Sequence, residues 1–254
     1  NWSSSSASYI STTAPTSADN ANFGSYSGAT SFTVTVATGS LCLALVINNA
    51  NMTLGGTGTW SIYGAVTITS FASRTYTGNI TFAATTSVAL NFGTMTFASA
   101  ITFNGTGGTW TLASAVSASA GAITLTAGTL NTAGFAVTAG SFSISGTTTR
   151  ALNLGSSTVL CASAAGTWNA GTTTNLTFTV GTSTIQMSGS SPSFTGGGLT
   201  YNNVSFTNVA ITSVAISGTN TFNNLTFASR TSVGISTVAL SANQTISGTL
   251  TIPA

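Results

Sequence analysis

The chain has almost no charge. It contains no lysine, no glutamate and no histidine, and 2% of its 254 residues are charged. The four charged side chains are Asp19, Arg74, Arg150 and Arg230, where an ordinary soluble domain carries about 25%. Each absence removes a class of chemistry. Without histidine there is no Ser-His-Asp or Cys-His arrangement. A single carboxylate cannot make the acid and base pair of a glycosidase. Two isolated cysteines do not make a zinc site, and one aspartate is a poor start for calcium. Gly196-Gly197-Gly198 leads into an alternating run, and there is no lysine for a phosphate-cradling loop. Three scattered arginines cannot neutralise a run of phosphates or an acidic lipid surface. The expectation is a protein that is not an enzyme, with no cofactor, no metal and no nucleic-acid partner.

Long apolar runs are missing too. The longest, Leu41–Ile47, is strand-sized and far short of the ~18 residues of a membrane helix, so no membrane insertion is expected. No basic leader precedes Asn1, so a signal peptide is expected to be absent or already removed. Low charge does not mean disorder, because valine, isoleucine, leucine, phenylalanine and threonine abound and 42% of residues are apolar. It means a surface with nothing to hold copies apart, and self-association is the expected consequence.

What fills the chain is alternation of period two. Phe32-Thr33-Val34-Thr35-Val36, Ile101-Thr102-Phe103, Ile123-Thr124-Leu125-Thr126 and Leu176-Thr177-Phe178-Thr179-Val180 are examples. Such runs, broken by Gly, Asn or Ser, mark half-buried strands. No stretch carries a helical stripe. Two stretches nearly repeat: Gly197–Phe206 returns as Thr219–Phe227, in a register of 21 (Asn203 to Asn224, Phe206 to Phe227). Weaker echoes pair Ala89–Gly93 with Ala151–Gly155 and Phe71–Thr75 with Phe227–Thr231. A Gly-Thr-Trp unit recurs at Trp60, Trp110 and Trp168. The pattern predicts an all-β fold, a right-handed parallel β-helix or β-solenoid of roughly 21-residue coils, about a dozen of them. Residues 31–254 form the solenoid, and 1–30, rich in Ser, Thr and Ala, form an irregular N-terminal cap or arm. Cys42 and Cys161 would then lie five or six coils apart, roughly 25–28 Å at ~4.8 Å per coil, beyond disulfide reach. They are expected to be free and buried, with a disulfide between subunits as the alternative.

The order Pro15–Asn20, Phe23, Phe32–Val36 and Cys42–Leu45 resembles the entry of repeat regions in phage tail-fibre and virion structural proteins. It is also similar to repeats of large bacterial surface proteins of the autotransporter-adhesin type. Gly166–Asn169, Ser183–Gly189 and Gly196–Phe206 match such repeats as well. The resemblance implies a scaffold, set outside the cell, at the cell surface or on a virion, and it transfers no functional residue. Many such regions carry more acidic residues; their absence here removes any basis for calcium binding.

The expected function is a non-catalytic structural protein, a self-associating subunit of an extracellular fibre or virion appendage. Its alternative is an adhesin module that binds a receptor or a cell-surface glycan. Candidate assembly residues are Trp2, Tyr9 and Phe23 in the arm and Leu250 and Ile252 in the terminal coil. Asp19 reads as a turn residue or an intersubunit partner. Arg74 and Arg230 share the lead Phe-Ala-Ser and read as solvated turns, or as contacts to a neighbouring chain or glycan. The Gly-Thr-Trp tryptophans read as core or corner positions, or as a platform for sugars. Asn203 with Asn224, and Phe206 with Phe227, are expected to stack one coil apart.

Overall fold

The computed structural model describes residues 15–24, 31–229 and 237–253. Every regular element among them is a β-strand. The strands join into one parallel sheet wound as a solenoid of about ten coils, about 22 residues apart. The all-β, parallel β-solenoid expectation holds, with about ten coils rather than a dozen.

The chain visits three columns of strands in turn, which we call faces A, B and C. Face C shows the winding most plainly. Its inward column runs Ser40, Trp60, Ile80, Ile101, Ile123, Phe142, Trp168, Phe194, Ile216, Leu240, each residue paired with the next. On face B, Val116, Val137, Val159, Ile185, Val204, Leu225 and Leu250 form one inward column. Ala118, Ala139, Cys161, Met187, Phe206 and Phe227 form the next. Face A stacks Trp110, Leu130, Leu152 and Phe178. Alternation is the cause: in a strand every second side chain points to the same side, so apolar residues line the interior and Thr, Ser and Asn face outward. Strand Val116–Asn131 bends through all three faces in turn.

Coil length is not constant. Trp60 pairs with Ile80, 20 residues on; Trp168 pairs with Phe194, 26 on; Thr184 pairs with Asn203, 19 on. In mid-chain one corner is invariant: Leu130 to Val137, Leu152 to Val159 and Phe178 to Ile185 are the same seven-residue step from face A to face B. A tight turn makes it. Backbone bonds close Met95 N–H to Phe92 O, Phe135 to Thr132, Ser157 to Leu154 and Ser183 to Val180. The second position of each turn has a left-handed backbone: Gly93 (φ 54°), Ala133 (φ 51°), Gly155 (φ 53°) and Gly181 (φ 57°). Glycine adopts that region without a Cβ penalty, and Ala133 is the exception. In three of the turns an asparagine side chain caps it from below: Asn91, Asn131 and Asn153 Oδ1 accept from the amides of Gly93, Ala133 and Gly155. The echo of Ala89–Gly93 in Ala151–Gly155 is therefore this corner.

The last coils abandon it. Tyr201 reaches face B at Val204 in three residues, and Phe222 reaches Leu225 in three. The doubled phrase Gly197–Phe206 and Thr219–Phe227 is a pair of coils with a short A side. Strand Ala21–Phe23 pairs in parallel with Leu45, Val46 and Ile47.

Candidate functional site

The shaft is sealed. Trp60, Trp110 and Trp168 are 4%, 0% and 0% exposed. That overturns the reading of these tryptophans as a sugar platform: Trp60 and Trp168 share the inward column of face C, and Trp110 lies in that of face A. The void between Trp60, Phe82, Phe92 and Phe97 measures about 10 Å³, no more than the room one water needs.

One charge lies inside. Arg150 is 1% exposed, at an inward position between Gly128 and Leu176. Its Nε donates to Ile144 O (2.6 Å), Nη1 to Thr148 O (2.8 Å) and Thr174 O (2.9 Å), and Nη2 to Thr172 O (2.6 Å). These carbonyls belong to two loops on successive coils, in the part of the chain where coils lengthen to 26. The longer loops leave carbonyls that no strand ladder can satisfy, and the planar fork of a guanidinium spans them. Burial lowers the Arg150 pKa from its usual value. Arg150 is a staple between loops. It escaped the sequence reading, although Arg150-Ala151-Leu152 places it on the same side of the strand as the buried Leu152, which was a legible signal.

The other candidates are placed as follows. Asp19 is half-buried and closes its own turn, with Oδ2 accepting from the Thr16 hydroxyl (2.7 Å) and amide (3.0 Å); those bonds hold its carboxyl below the usual value. The Asp19 carbonyl accepts from Leu43 N–H (2.7 Å), which ties the turn to the second coil. Arg74 is half-buried, and its Nη1 donates to Tyr76 O. Phe23 is half-buried and packs against the core. Trp2, Tyr9 and Arg230 lie outside the described residues. Asn203 stands opposite Asn224, whose Nδ2 donates to Asn203 Oδ1 (2.8 Å). Asn223 Nδ2 donates likewise to Asn202 Oδ1 (3.2 Å). Phe206 lies on Phe227 with ring centroids 5.1 Å apart and planes at 9°.

Cys42 and Cys161 are free and buried. Burial pushes both thiols up to about 12 from 9.0, and it raises the Tyr76 and Tyr201 hydroxyls as well. Each raised acid keeps its proton in the folded chain after the unfolded chain has begun to lose it. Stability is then complete below the unfolded pKa and falls as pH rises towards the folded one. The melting temperature is expected to be flat between about pH 5 and 8, where no side chain of ordinary pKa titrates, and to fall above pH 9. A melting series in matched ionic strength checks this; a sharp step between about pH 5 and 8 would contradict it.

The C-terminal end is the one place where the described interior is open to this degree. There, among the described residues, nothing covers the last members of the inward columns. Leu240 is 55% exposed, Leu250 48% and Ile252 68%. With Leu225, Phe227 and Ile246 they line a recess of about 820 Å³, and none of its described lining residues is charged. Its rim is Thr237–Leu240 and Thr245–Thr251, strands paired on one side with the preceding coil.

Compared with known proteins, the chain matches no family, no curated protein and no solved structure. The site must therefore be judged by its own chemistry. Among the described residues no group of three or more His, Cys, Asp or Glu gathers. What the described residues offer is a closed shaft with hydroxyl-rich flanks, and an apolar end whose strands are paired on one side alone.

Proposed function

We propose that this protein is a non-catalytic structural rod, a self-associating subunit of an extracellular fibre, cell-surface structure or virion appendage. The observation that carries the reading is the filled interior of the shaft combined with the uncovered apolar end. A protein that works on a small molecule keeps a concave, partly apolar site with convergent polar groups. Here the large apolar surface is instead the cross-section of the rod, where an assembly contact would lie. The near-absence of charge supports the same reading, since neither end nor flank repels a second copy. Mechanically, the parallel ladder runs along the axis, so tension is carried by backbone hydrogen bonds over packed apolar columns.

The adhesin alternative loses the aromatic platform that motivated it, because those rings are inside. Electron microscopy of the purified protein across a concentration series tests the rod reading. Filaments of uniform width that lengthen with concentration are expected; dispersed single rods at every concentration would sink it.

A further inference from the structure

We infer that the open C-terminal coil receives the N-terminal coil of a second copy, head to tail, in the register of the internal columns. This rests on the structural reading above and names the partner and geometry of its assembly contact.

The argument is one of continuity. The interface between coils is already present along the whole shaft. On face C it repeats without a break from Ser40 to Leu240. Leu240, Leu250 and Ile252 show solvent the same inward side chains that an inner coil shows its successor. The first coil is cut to the matching pattern. Strands Phe32–Val36 and Ser40–Cys42 are paired, among the described residues, with the following coil alone, and Phe32 is 40% exposed. A bare parallel edge is ordinarily blunted by lysine, by proline or by a cover. The chain has no lysine, and the proline at this end, Pro253, follows the last strand rather than interrupting it. Among the described residues no charge lines the recess. Stacking the first coil on the last continues every strand in parallel. Joining two C-terminal ends by a two-fold axis would instead set the strands antiparallel and break the columns. A head-to-tail contact of this kind does not close on itself, so it extends into a filament.

The register makes a covalent test. The outward column of face C runs Leu41, Ser61, Thr81, and so on to Thr195 and Ser217. Ser241 is next, because Ile216 pairs with Leu240. Across the proposed joint, Ser241 of one copy faces Leu41 of the next. The double variant Leu41→Cys, Ser241→Cys is expected to give, under mild oxidation, a non-reducing gel ladder of dimers, trimers and higher multimers. Each single variant is expected to give none, and the native thiols are buried. Leu250→Lys with Ile252→Lys, both at exposed positions, should keep the circular dichroism of the fold and abolish filaments. Dimers from Ser241→Cys alone would mean a two-fold end contact and overturn the inference. Filaments in the microscope without cross-linked multimers would also overturn it, while leaving the structural rod standing; dispersed rods without cross-links would end both. Hydrogen exchange adds an arm: strand Thr245–Thr251 should exchange fast when dilute and become protected on assembly. Protection that is independent of concentration would assign the recess to a segment of the same polypeptide and overturn the second copy.

Discussion

Arg150→Met is expected to lower the opening free energy of the loops around residues 144–150 and 170–176 by about 2–4 kcal/mol. Methionine comes close to the volume of the arginine stem, so the change is one of hydrogen bonding more than of space. Four carbonyls lose their donors: those of Ile144, Thr148, Thr172 and Thr174. A buried carbonyl left unsatisfied costs about 1–3 kcal/mol. Some of that is recovered, because Thr148, Thr172 and Thr174 sit on loops that can turn outward to water. In the other direction, the buried cation is removed, and its desolvation cost with it. The net loss is therefore well below four full penalties. Arg150→Lys should fall between the two, since an ammonium is a point charge with three donors and cannot span two loops as the guanidinium does. Hydrogen exchange read residue by residue is the measurement. In a stacked array each coil touches only its neighbours, so faster exchange should centre on these two loops and fade within a coil or two. Unchanged exchange there would refute the staple.

This residue also marks how far the sequence could be read. Alternation was legible because it follows from the strand itself. Its runs at 32–36, 101–103, 123–126 and 176–180 fall on the strands Phe32–Val36, Ile101–Leu112, Val116–Asn131 and Leu176–Thr179, while the parallel stacking was read from the repeat of 21. Coil length was read from Asn203 to Asn224, and that step is indeed 21. The neighbouring steps range from 19 to 26 because the loops between faces absorb insertions at little cost to the columns. The echoes looked irregular for that reason. The Asn-x-Gly corner was visible only as a repeated phrase, since its cause is the backbone of one residue. The open end was anticipated at Leu250 and Ile252; its depth was not, because it depends on Leu225, Phe227 and Leu240 meeting there. Arg150 was missed because an isolated arginine is normally a surface residue. Only the carbonyls of loops 24 residues apart in sequence, such as Thr174 against Arg150, explain its burial.

Trp168→Ala should be the most damaging single truncation in the shaft, at about 4–5 kcal/mol, the upper part of the range for emptying a buried tryptophan site. Trp168 is fully buried. It stacks on Phe142 at 5.2 Å and 11°, and on Phe194 at 6.3 Å and 12°. It meets Tyr201 edge to face at 6.1 Å and 84°. Its Nε1 donates to the Tyr201 hydroxyl (3.1 Å), which in turn donates to Gly196 O (2.8 Å). Removing the indole therefore opens a cavity, ends two stacked contacts on one column and takes away the donor to Tyr201. Relaxation is limited, because Phe142 and Phe194 belong to strands pinned by their own ladders. Trp60 offers the internal control: it occupies the same column but meets one aromatic partner, Tyr76, at 6.3 Å. Trp60→Ala should cost nearer 3 kcal/mol. Trp168→Phe keeps the stack and loses the hydrogen bond, for about 1–2 kcal/mol. The column model makes a further demand: Trp168→Ala and Phe194→Ala should be coupled by about 0.5–3 kcal/mol in a double-mutant cycle, while Trp168→Ala and Trp60→Ala, separated by five steps of the column, should add. Denaturant unfolding of the four single variants and the two doubles decides it. Equal losses at Trp60 and Trp168, or additivity with Phe194, would mean that the rod is held by area alone and not by stacked columns.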